Sequence, residues 1–316
     1  MDRNLALEFV RVTEAAAIAA AKWMGRGDKK AADQAAVDAM RERFKSVDFC
    51  GQIIIGEGEK DEAPELYIGE KLGRADCSEL DIAVDPLECT DSVANGVPNA
   101  MSVIATGARG SLFHAPDMYM NKIACGPAAR GKIDLDASVN ENLKNVADAL
   151  KKDVSELVVV MLDRPRHEDL KNQIRKAGAR VRLISDGDVA GAIAPSLSGS
   201  GIDLLMGIGA SAEAVLAAVA IKALGGELQC RLAPKDEAQK ERLKQMGIKD
   251  IDKKLLLEDL AKGNDLAFTA TGVIDGPLLK GVRYTADYAI THSVVMRVRS
   301  GTIRFMETHH KLPAYG

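Results

Sequence analysis

The sequence lacks the features that mark membrane proteins, zinc proteins and disulfide-linked proteins. None of its 316 residues lies in a run of about 18 uncharged apolar residues, so no transmembrane helix is expected. The apolar run at 15–21 is short and has charged residues on both sides, so no signal peptide is expected either. The 5 cysteines include no Cys-x-x-Cys pair and the 5 histidines have no metal-ligand spacing, which argues against a zinc site and a disulfide framework. We therefore expect a soluble protein of the reducing cytoplasm with no membrane partner.

A strong excess of positive charge is also missing. The chain has 42 Lys and Arg against 46 Asp and Glu, a net charge of −4, so nucleic acid is not expected as a partner. The hydrophobic fraction of 47% and the charged fraction of 28% are typical of a globular protein. The length is about twice the 150 residues of an average domain, which leaves one large domain or two closely associated ones open.

Helix and strand patterns alternate along the chain. Apolar residues recur every three or four positions from Leu5 to Ala16 and from Ala36 to Phe44, which predicts two helices. Short apolar runs predict strands at 52–55, 80–84, 101–106, 112–113, 157–162, 181–184 and 202–206, and a hairpin at 294–299 and 302–306. Helical patterns predict helices at 139–150, 167–177, 189–197 and 212–224. Because strands and helices alternate after 157, we expect parallel βαβ units and an α/β fold. We divide the chain into an N-terminal α+β half, 1–137, and a C-terminal α/β half, 138–316, that together form one compact unit.

Polar loops follow five of the predicted strands. They lie at 56–62, 85–91, 163–167, 185–188 and 207–213. In open α/β sheets, ligands bind beyond the carboxyl ends of the strands. Acidic residues gathered there would repel one another without a cation, and oxygen ligands favour Mg²⁺ or Mn²⁺. Arg164 and Arg166 in the third loop suit a phosphate, so these residues suggest metal-assisted hydrolysis of a phosphate ester.

Other interpretations of the same segments remain open. Each acidic loop taken singly could be an ordinary polar turn. Residues 207–212 fit the pattern G-x-G-x-x-A of dinucleotide-binding loops, but Glu227 precedes the next apolar run instead of ending it. The segment 125–130 has one residue too few for the loop of a cysteine phosphatase, and no P-loop motif occurs.

Read together, the motifs resemble those of the class II fructose-1,6-bisphosphatases of bacteria, within the lithium-sensitive, metal-dependent sugar and inositol phosphatases. The matching segments cover nearly the whole chain: Arg11-Val12-Thr13-Glu14, Gly25-Arg26-Gly27-Asp28-Lys29, Ala32-Asp33, Ile55-Gly56-Glu57-Gly58-Glu59, Asp81-Ile82-Ala83-Val84-Asp85-Pro86, Ala115-Pro116-Asp117-Met118-Tyr119-Met120, Asp163-Arg164-Pro165-Arg166-His167, Asp186-Gly187-Asp188-Val189 and Ala270-Thr271-Gly272-Val273. The resemblance implies a layered α/β/α/β/α sandwich of the sugar phosphatase type, Mn²⁺ or Mg²⁺ as cofactor, and a homodimer or homotetramer.

The resemblance also assigns roles to residues at matching positions. The metal ligands, most of them in the N-terminal half, are Asp33, Glu57, Asp85, Glu88 and Glu213. The catalytic residues, which orient or deprotonate the attacking water or support that step, are Thr90, Asp33, Lys29, Glu59 and Asp61. The substrate-binding residues, with the arginines on the phosphate that is not cleaved, are Glu88, Cys89, Thr90, Tyr119, Arg164, Pro165, Arg166, Asp186, Gly187, Asp188 and Ala210.

The implied function is hydrolysis of the 1-phosphate of fructose 1,6-bisphosphate in gluconeogenesis. Two alternatives are a phosphatase for sedoheptulose 1,7-bisphosphate or another polyol phosphate, and a catalytically weak homologue that binds sugar phosphates.

The chain departs from the family pattern in two loops. Cys89 stands where the family has glycine, and Ala210, Ser211, Ala212 and Ala214 replace Gly, Ala, Pro and Gly in the loop that carries Glu213. Glycine is favoured where φ is positive, so Cys89 is expected to strain or crowd its loop. The alternative is that residue 89 has a right-handed or extended conformation, which any small side chain tolerates.

Overall fold

The computed structural model describes residues 5–57, 66–73 and 79–312. The chain folds as two compact units: a first unit of residues 1–112 and 263–316, and a second unit of residues 113–262. This division differs from the expected boundary at 137/138. Residues 266–274 pair as a strand with residues 100–108, so a late segment returns to the N-terminal sheet.

The helices and strands follow one another in the order expected of an α/β protein. The first unit begins with α1 (Leu5–Ala21), α2 (Lys29–Phe44), β1 (Cys50–Ile55), β2 (Lys71–Gly73), β3 (Glu79–Glu88), α3 (Thr90–Asn95) and β4 (Ala100–Ala108). The second unit contains β5 (Tyr119–Cys125), α4 (Val139–Leu150), β6 (Val158–Leu162), α5 (Glu168–Lys176), β7 (Arg180–Ile184), α6 (Asp188–Ile193), β8 (Leu204–Ala210), α7 (Ser211–Leu224), β9 (Glu227–Leu232), α8 (Glu237–Gln245), β10 (Leu255–Leu256) and α9 (Leu257–Leu260). The first unit ends with β11 (Leu266–Ile274), β12 (Arg283–Tyr284), β13 (Tyr288–Arg297) and β14 (Thr302–Lys311).

The first unit is built on a mixed sheet covered by α1 and α2. Its strands run in the order β12-β13-β11-β4-β3-β1-β2, and β14 pairs with β13. β1 and β3 are parallel neighbours, so residues after both strands lie at the same edge of the sheet. The apolar face of α1 packs on the core through Phe9, whose ring centroid lies 5.3 Å from Phe49 and 6.1 Å from Phe44. This packing fixes α2, which carries Asp33, over the sheet.

The second unit has a mixed sheet of its own. The strand order is β10-β9-β5-β8-β6-β7. β6 is parallel to β7 and β8, as the alternating pattern predicts, whereas β5 is antiparallel to both β8 and β9. Leu143, Val146 and Ile174 of α4 and α5 form a buried core with Val159 and Met161 of β6.

Most predicted elements are present, and the α/β class is confirmed, because each unit combines a mixed sheet with helices. The hairpin is confirmed by the antiparallel pairing of β13 and β14. Ser138 accepts a hydrogen bond from the N–H of Glu141 and so caps α4. No helix within the described ranges is both long and apolar enough to cross a membrane.

Two expectations are wrong, and β5 is among the elements that the sequence pattern does not predict. Residues 112–113 do not form a strand, since only Leu112 makes an isolated bridge. β5 was not expected, because Asn121 and Lys122 interrupt its apolar run. Cys50 is disulfide-bonded, which cysteine spacing alone does not reveal, whereas Cys89, Cys125 and Cys230 form no disulfide.

Candidate active site

The first unit places four of the predicted metal-ligating carboxylates on neighbouring elements. Asp33 lies in the second turn of α2, Glu57 follows β1, and Asp85 and Glu88 lie on β3. Asp85 also accepts a hydrogen bond from the N–H of Leu87, 3.2 Å away, where the pairing of β3 with β4 is irregular between Asp85 and Glu88. The parallel pairing of β1 and β3 therefore brings acidic residues from two strand ends to one edge.

Three of these carboxylates are close enough to perturb one another. Burial, and to a smaller extent the negative charges of Asp85 and Asp33, together raise the pKa of Glu57 to about 8. Burial also raises the pKa of Asp33. A cluster of half-buried carboxylates is costly to ionise without a cation, so its residues fit a divalent metal with oxygen ligands.

The described side chains of this cluster are not arranged as a metal coordination sphere. Among the described residues, no group of three or more His, Cys, Asp and Glu side chains is close enough together to hold a metal ion. The ligand set therefore stays a prediction, supported by the electrostatic crowding around Glu57.

Two of the predicted catalytic residues, Thr90 and Lys29, lie at the starts of helices. Thr90 is the first residue of α3. Lys29 begins α2, and its Nζ lies 3.2 Å from Oδ1 of Asp91, the residue after Thr90. This exposed ion pair joins the starts of α2 and α3. Glu59 and Asp61 lie outside the residues that the structure describes.

In the second unit, the predicted phosphate-binding arginines lie just after β6. Arg166 donates from Nε and Nη2 to the carbonyl oxygen of Ile208, at 3.2 and 2.8 Å. Arg164 donates to the carbonyl oxygen of Ser185, and its guanidinium lies 3.8 Å from a carboxylate oxygen of Asp186. Pro165 begins a short 3₁₀ turn between the two arginines. Both side chains remain partly exposed, so their remaining donors can reach an anion.

A buried histidine fixes the backbone that Arg166 uses. His167 Nε2 accepts a hydrogen bond from the N–H of Ile208 at 2.7 Å, so its Nδ1–H donates to the carbonyl oxygen of Leu162 at 2.7 Å. Burial lowers the pKa of His167, which keeps this tautomer neutral. His167 therefore acts as a structural link between the end of β6 and strand β8.

Tyr119 carries two cations on its ring. The guanidinium carbon of Arg166 and the Nζ of Lys235 each lie 4.5 Å from the ring centroid. Such cation–π contacts hold the positive groups near one another against their repulsion. The result is a positively charged surface that suits a phosphate.

The turn after β7 brings the remaining predicted substrate ligands into place. Gly187 has φ +88°, a left-handed conformation that explains glycine at this position. The next residue, Asp188, is 4% exposed, and its Oδ2 accepts a hydrogen bond from Lys122 at 2.7 Å. Lys122 also lies 3.6 Å from Glu213, the predicted metal ligand of this unit.

Comparison with known proteins identifies the family. A family model described as bacterial fructose-1,6-bisphosphatase, glpX-encoded, matches residues 3–310. The chain belongs to this family. It is 47% identical to the D-fructose 1,6-bisphosphatase class 2/sedoheptulose 1,7-bisphosphatase of Synechococcus sp. (strain JA-3-3Ab), over 98% of this chain and 96% of that protein. It is 48% identical to the protein of the same name from Synechocystis sp. (strain ATCC 27184 / PCC 6803 / Kazusa), over 98% of this chain and 97% of that protein. The predicted membership of the class II bisphosphatases, and with it of the phosphoric monoester hydrolases, is confirmed.

At position 89, where the family pattern has glycine, the structure keeps a glycine-like backbone. Cys89 has φ +71° and ψ +53°, the left-handed conformation. The alternative of a right-handed or extended residue is therefore wrong, and the cysteine carries the strain that a Cβ brings there. Its side chain is buried and belongs to the core cluster of the first unit.

The second altered loop accommodates its substitutions without such strain. Ala210 has φ −68° and ψ +151°, an extended conformation that alanine adopts freely, and its N–H donates to Glu213 at 2.9 Å. The hydroxyl of Ser211 donates to the carbonyl oxygen of Pro116 and ties this loop to the segment before β5. Ala212 and Ala214 lie within α7, where alanine is a better helix former than proline or glycine.

Lys122, Lys235 and His167 are the residues of this region that sequence reasoning missed. Lys122 and Lys235 lie outside the motifs that carry the family resemblance. His167 lies within one of these motifs, but the resemblance assigns it no role. A lysine inside an otherwise apolar run, as at 120–125, is the one sequence signal that points to Lys122.

Proposed function

We propose that the chain is a metal-dependent phosphatase that hydrolyses the 1-phosphate of fructose 1,6-bisphosphate to give fructose 6-phosphate and inorganic phosphate. The observation that carries this proposal is the burial of Glu57 near the carboxylates of Asp85 and Asp33, which raises the pKa of Glu57. Carboxylates in this arrangement need a cation, and the arginines of the second unit provide donors for an anionic substrate.

The residues divide the chemistry between them. In the first unit we assign Asp33, Glu57, Asp85 and Glu88 to hold Mn²⁺ or Mg²⁺, and in the second unit we assign Glu213 the same role. When bound, such an ion supplies a Lewis acid that withdraws negative charge from the phosphate. The hydroxyl of Thr90 orients the attacking water and Asp33 accepts its proton, supported by Lys29, Glu59 and Asp61. A P–O bond forms to the water oxygen as the bond between phosphorus and the C1 oxygen of the sugar breaks, and a proton passes to that departing sugar oxygen.

The other contacts fix the substrate. We assign Arg164, Pro165 and Arg166 to the phosphate that is not cleaved, with Tyr119 beneath the arginine. The turn 186–188 binds sugar hydroxyls. The backbone at 88–90 and at Ala210 contacts the phosphate that is cleaved. The protein would act in the cytoplasm, in gluconeogenesis, as a homodimer or homotetramer.

Sedoheptulose 1,7-bisphosphate is the second candidate substrate, because both cyanobacterial relatives are also named for it. Phosphate release with Mn²⁺ should be measured on both bisphosphates and on fructose 6-phosphate. We expect kcat/KM for fructose 1,6-bisphosphate to exceed that for fructose 6-phosphate by about 100-fold or more, since the monophosphate cannot occupy both phosphate positions. Greater kcat/KM for sedoheptulose 1,7-bisphosphate would reverse the order of the two candidates. Binding of both sugars without turnover would favour a catalytically weak homologue.

Changing Cys89 tests whether its thiol matters. We expect Cys89→Gly to keep or increase turnover of fructose 1,6-bisphosphate, because glycine relieves the left-handed backbone. Cys89→Ala removes the same sulfur but keeps Cβ, so Cys89→Gly should be more stable than Cys89→Ala by about 1 kcal/mol in thermal unfolding. If Cys89→Gly and Cys89→Ser are both folded yet inactive, the thiol has an essential role that this account denies.

A further inference from the structure

Lys122 is a buried cation in the middle of a β-strand. It lies on β5 and is 3% exposed. Its Nζ is 2.7 Å from Oδ2 of Asp188 and 3.6 Å from Oε2 of Glu213. Burial lowers its pKa, but the two carboxylates outweigh that effect and hold the pKa above its ordinary value. Lys122 is therefore charged at neutral pH, and it faces carboxylates from two separate elements.

The surrounding backbone is shaped for this ion pair. A Cβ at Gly209 would lie 1.7 Å from Oδ2 of Asp188 and 3.0 Å from Nζ of Lys122. Glycine at 209 therefore leaves the space in which the carboxylate and the ammonium meet. Because Asp188 is buried and bonded to Lys122, the lysine and not solvent holds its carboxylate.

The two oxygens of Asp188 differ in their surroundings. Oδ2 is occupied by Lys122, whereas Oδ1 is buried and has no hydrogen-bond partner among the described residues. A buried carboxylate oxygen without a partner is costly, and a ligand hydroxyl or a water can satisfy it. Fixing Oδ2 leaves Oδ1 as the oxygen that can accept from a sugar hydroxyl.

We propose that Lys122 is a positioning residue that holds Asp188 in place to bind the sugar, with Glu213 as the second carboxylate that orients the Lys122 ammonium. The inference rests on the proposed function, because it takes Asp188 as a substrate ligand. Lys122 itself touches neither substrate nor reacting atoms. It acts through Asp188, so its removal should weaken sugar binding more than the chemical step.

The test compares Lys122→Met with Lys144→Met, the same change at an exposed lysine of α4. We expect Lys122→Met to raise KM for fructose 1,6-bisphosphate at least tenfold and to lower kcat less. Its affinity for fructose 6-phosphate, measured by titration calorimetry without turnover, should fall by a similar factor. Lys144→Met should match the wild-type protein in all three quantities. A purely structural role would lower the melting temperature of Lys122→Met without this split between KM and kcat, and that result would overturn the proposal.

A double-mutant cycle keeps the proposal testable if Lys122→Met folds poorly. In Lys122→Met/Asp188→Asn, the buried carboxylate that Lys122 neutralises has lost its charge. If Lys122 acts through Asp188, this double variant should have a kcat/KM within about threefold of Asp188→Asn alone. A further loss of tenfold or more would show that Lys122 acts elsewhere.

The outcomes separate this inference from the proposed function. If the wild-type protein hydrolyses fructose 1,6-bisphosphate and Lys122→Met is equally active, only this inference is contradicted. A wild-type protein that neither binds nor hydrolyses the sugar would contradict the proposed function and this inference with it.

Discussion

Glu57→Gln should abolish phosphate release and yet stabilise the metal-free protein. The activity falls because the amide cannot replace a carboxylate ligand, and we expect a loss of at least about 1,000-fold. The stability rises because Glu57 is a buried carboxylate that lies near the negative charges of Asp85 and Asp33. Its pKa is raised to about 8 in the folded protein, by burial first and then by the charges of Asp85 and Asp33. Since the unfolded chain ionises near 4.5, folding at neutral pH must keep a proton on Glu57 or bear the repulsion.

The sign of the pH dependence follows from this raised pKa. The stability linked to protonation of Glu57 is fully present below pH 4.5 and is lost as the pH rises to about 8. At pH 7 the difference amounts to about 3 kcal/mol of unfolding free energy. Thermal unfolding in EDTA at several pH values should therefore show that the stability advantage of Glu57→Gln over the wild-type protein increases as the pH rises. Glu42→Gln, at an exposed position of α2, is the matched control and should leave both activity and stability unchanged.

Two outcomes would contradict this prediction. A Glu57→Gln variant that retains activity would remove Glu57 from the ligand set. A variant that is inactive but no more stable in EDTA than the wild-type protein would mean that burial and the neighbouring charges do not raise the pKa of Glu57 in the metal-free protein.

Arg166→Ala should raise KM for fructose 1,6-bisphosphate by about 100-fold, because it removes the charge-assisted hydrogen bond that we assign to Arg166 on the phosphate that is not cleaved. The same change should affect a sugar that carries only the 1-phosphate much less, since that substrate has no distal phosphate to bind. Arg166 is exposed, and within the protein it contacts the Ile208 carbonyl and the Tyr119 ring. The free energy of unfolding should therefore change by about 0.5 kcal/mol or less.

Arg175→Ala, at an exposed arginine on α5, is the matched control for this measurement and should leave both KM values unchanged. Equal increases in KM for the bisphosphate and the 1-monophosphate with Arg166→Ala would mean that Arg166 does not bind the distal phosphate.

The local pattern of the sequence predicts a large part of the fold. The apolar runs at 52–55 and 181–184 become β1 and β7 because each is short, apolar and followed by polar turn residues. Helix α7 is predicted within a residue of its start because the small and apolar residues after Ser211 suit a buried helix. The family resemblance supplies the rest of the candidate site, since single motifs such as Asp85-Pro86 are too common to assign a role.

What the sequence does not reveal depends on contacts between distant residues. β5 is hidden because Lys122 interrupts its apolar run, and the strand forms because Asp188 and Glu213 neutralise that lysine. The boundary between the units cannot be predicted from local patterns, because β11 pairs with β4 although the residues of the second unit separate them in the sequence. The left-handed backbone of Cys89 is suggested only by comparison with the family's glycine, since cysteine itself rarely adopts it.

The most direct test of the central claim follows the products of fructose 1,6-bisphosphate by ³¹P NMR with the purified protein. With Mn²⁺ or Mg²⁺ present, the account predicts equal amounts of inorganic phosphate and fructose 6-phosphate, and it predicts no reaction after treatment with EDTA. Phosphate release that persists in EDTA, fructose 1-phosphate as the product, or no release with either metal would contradict it.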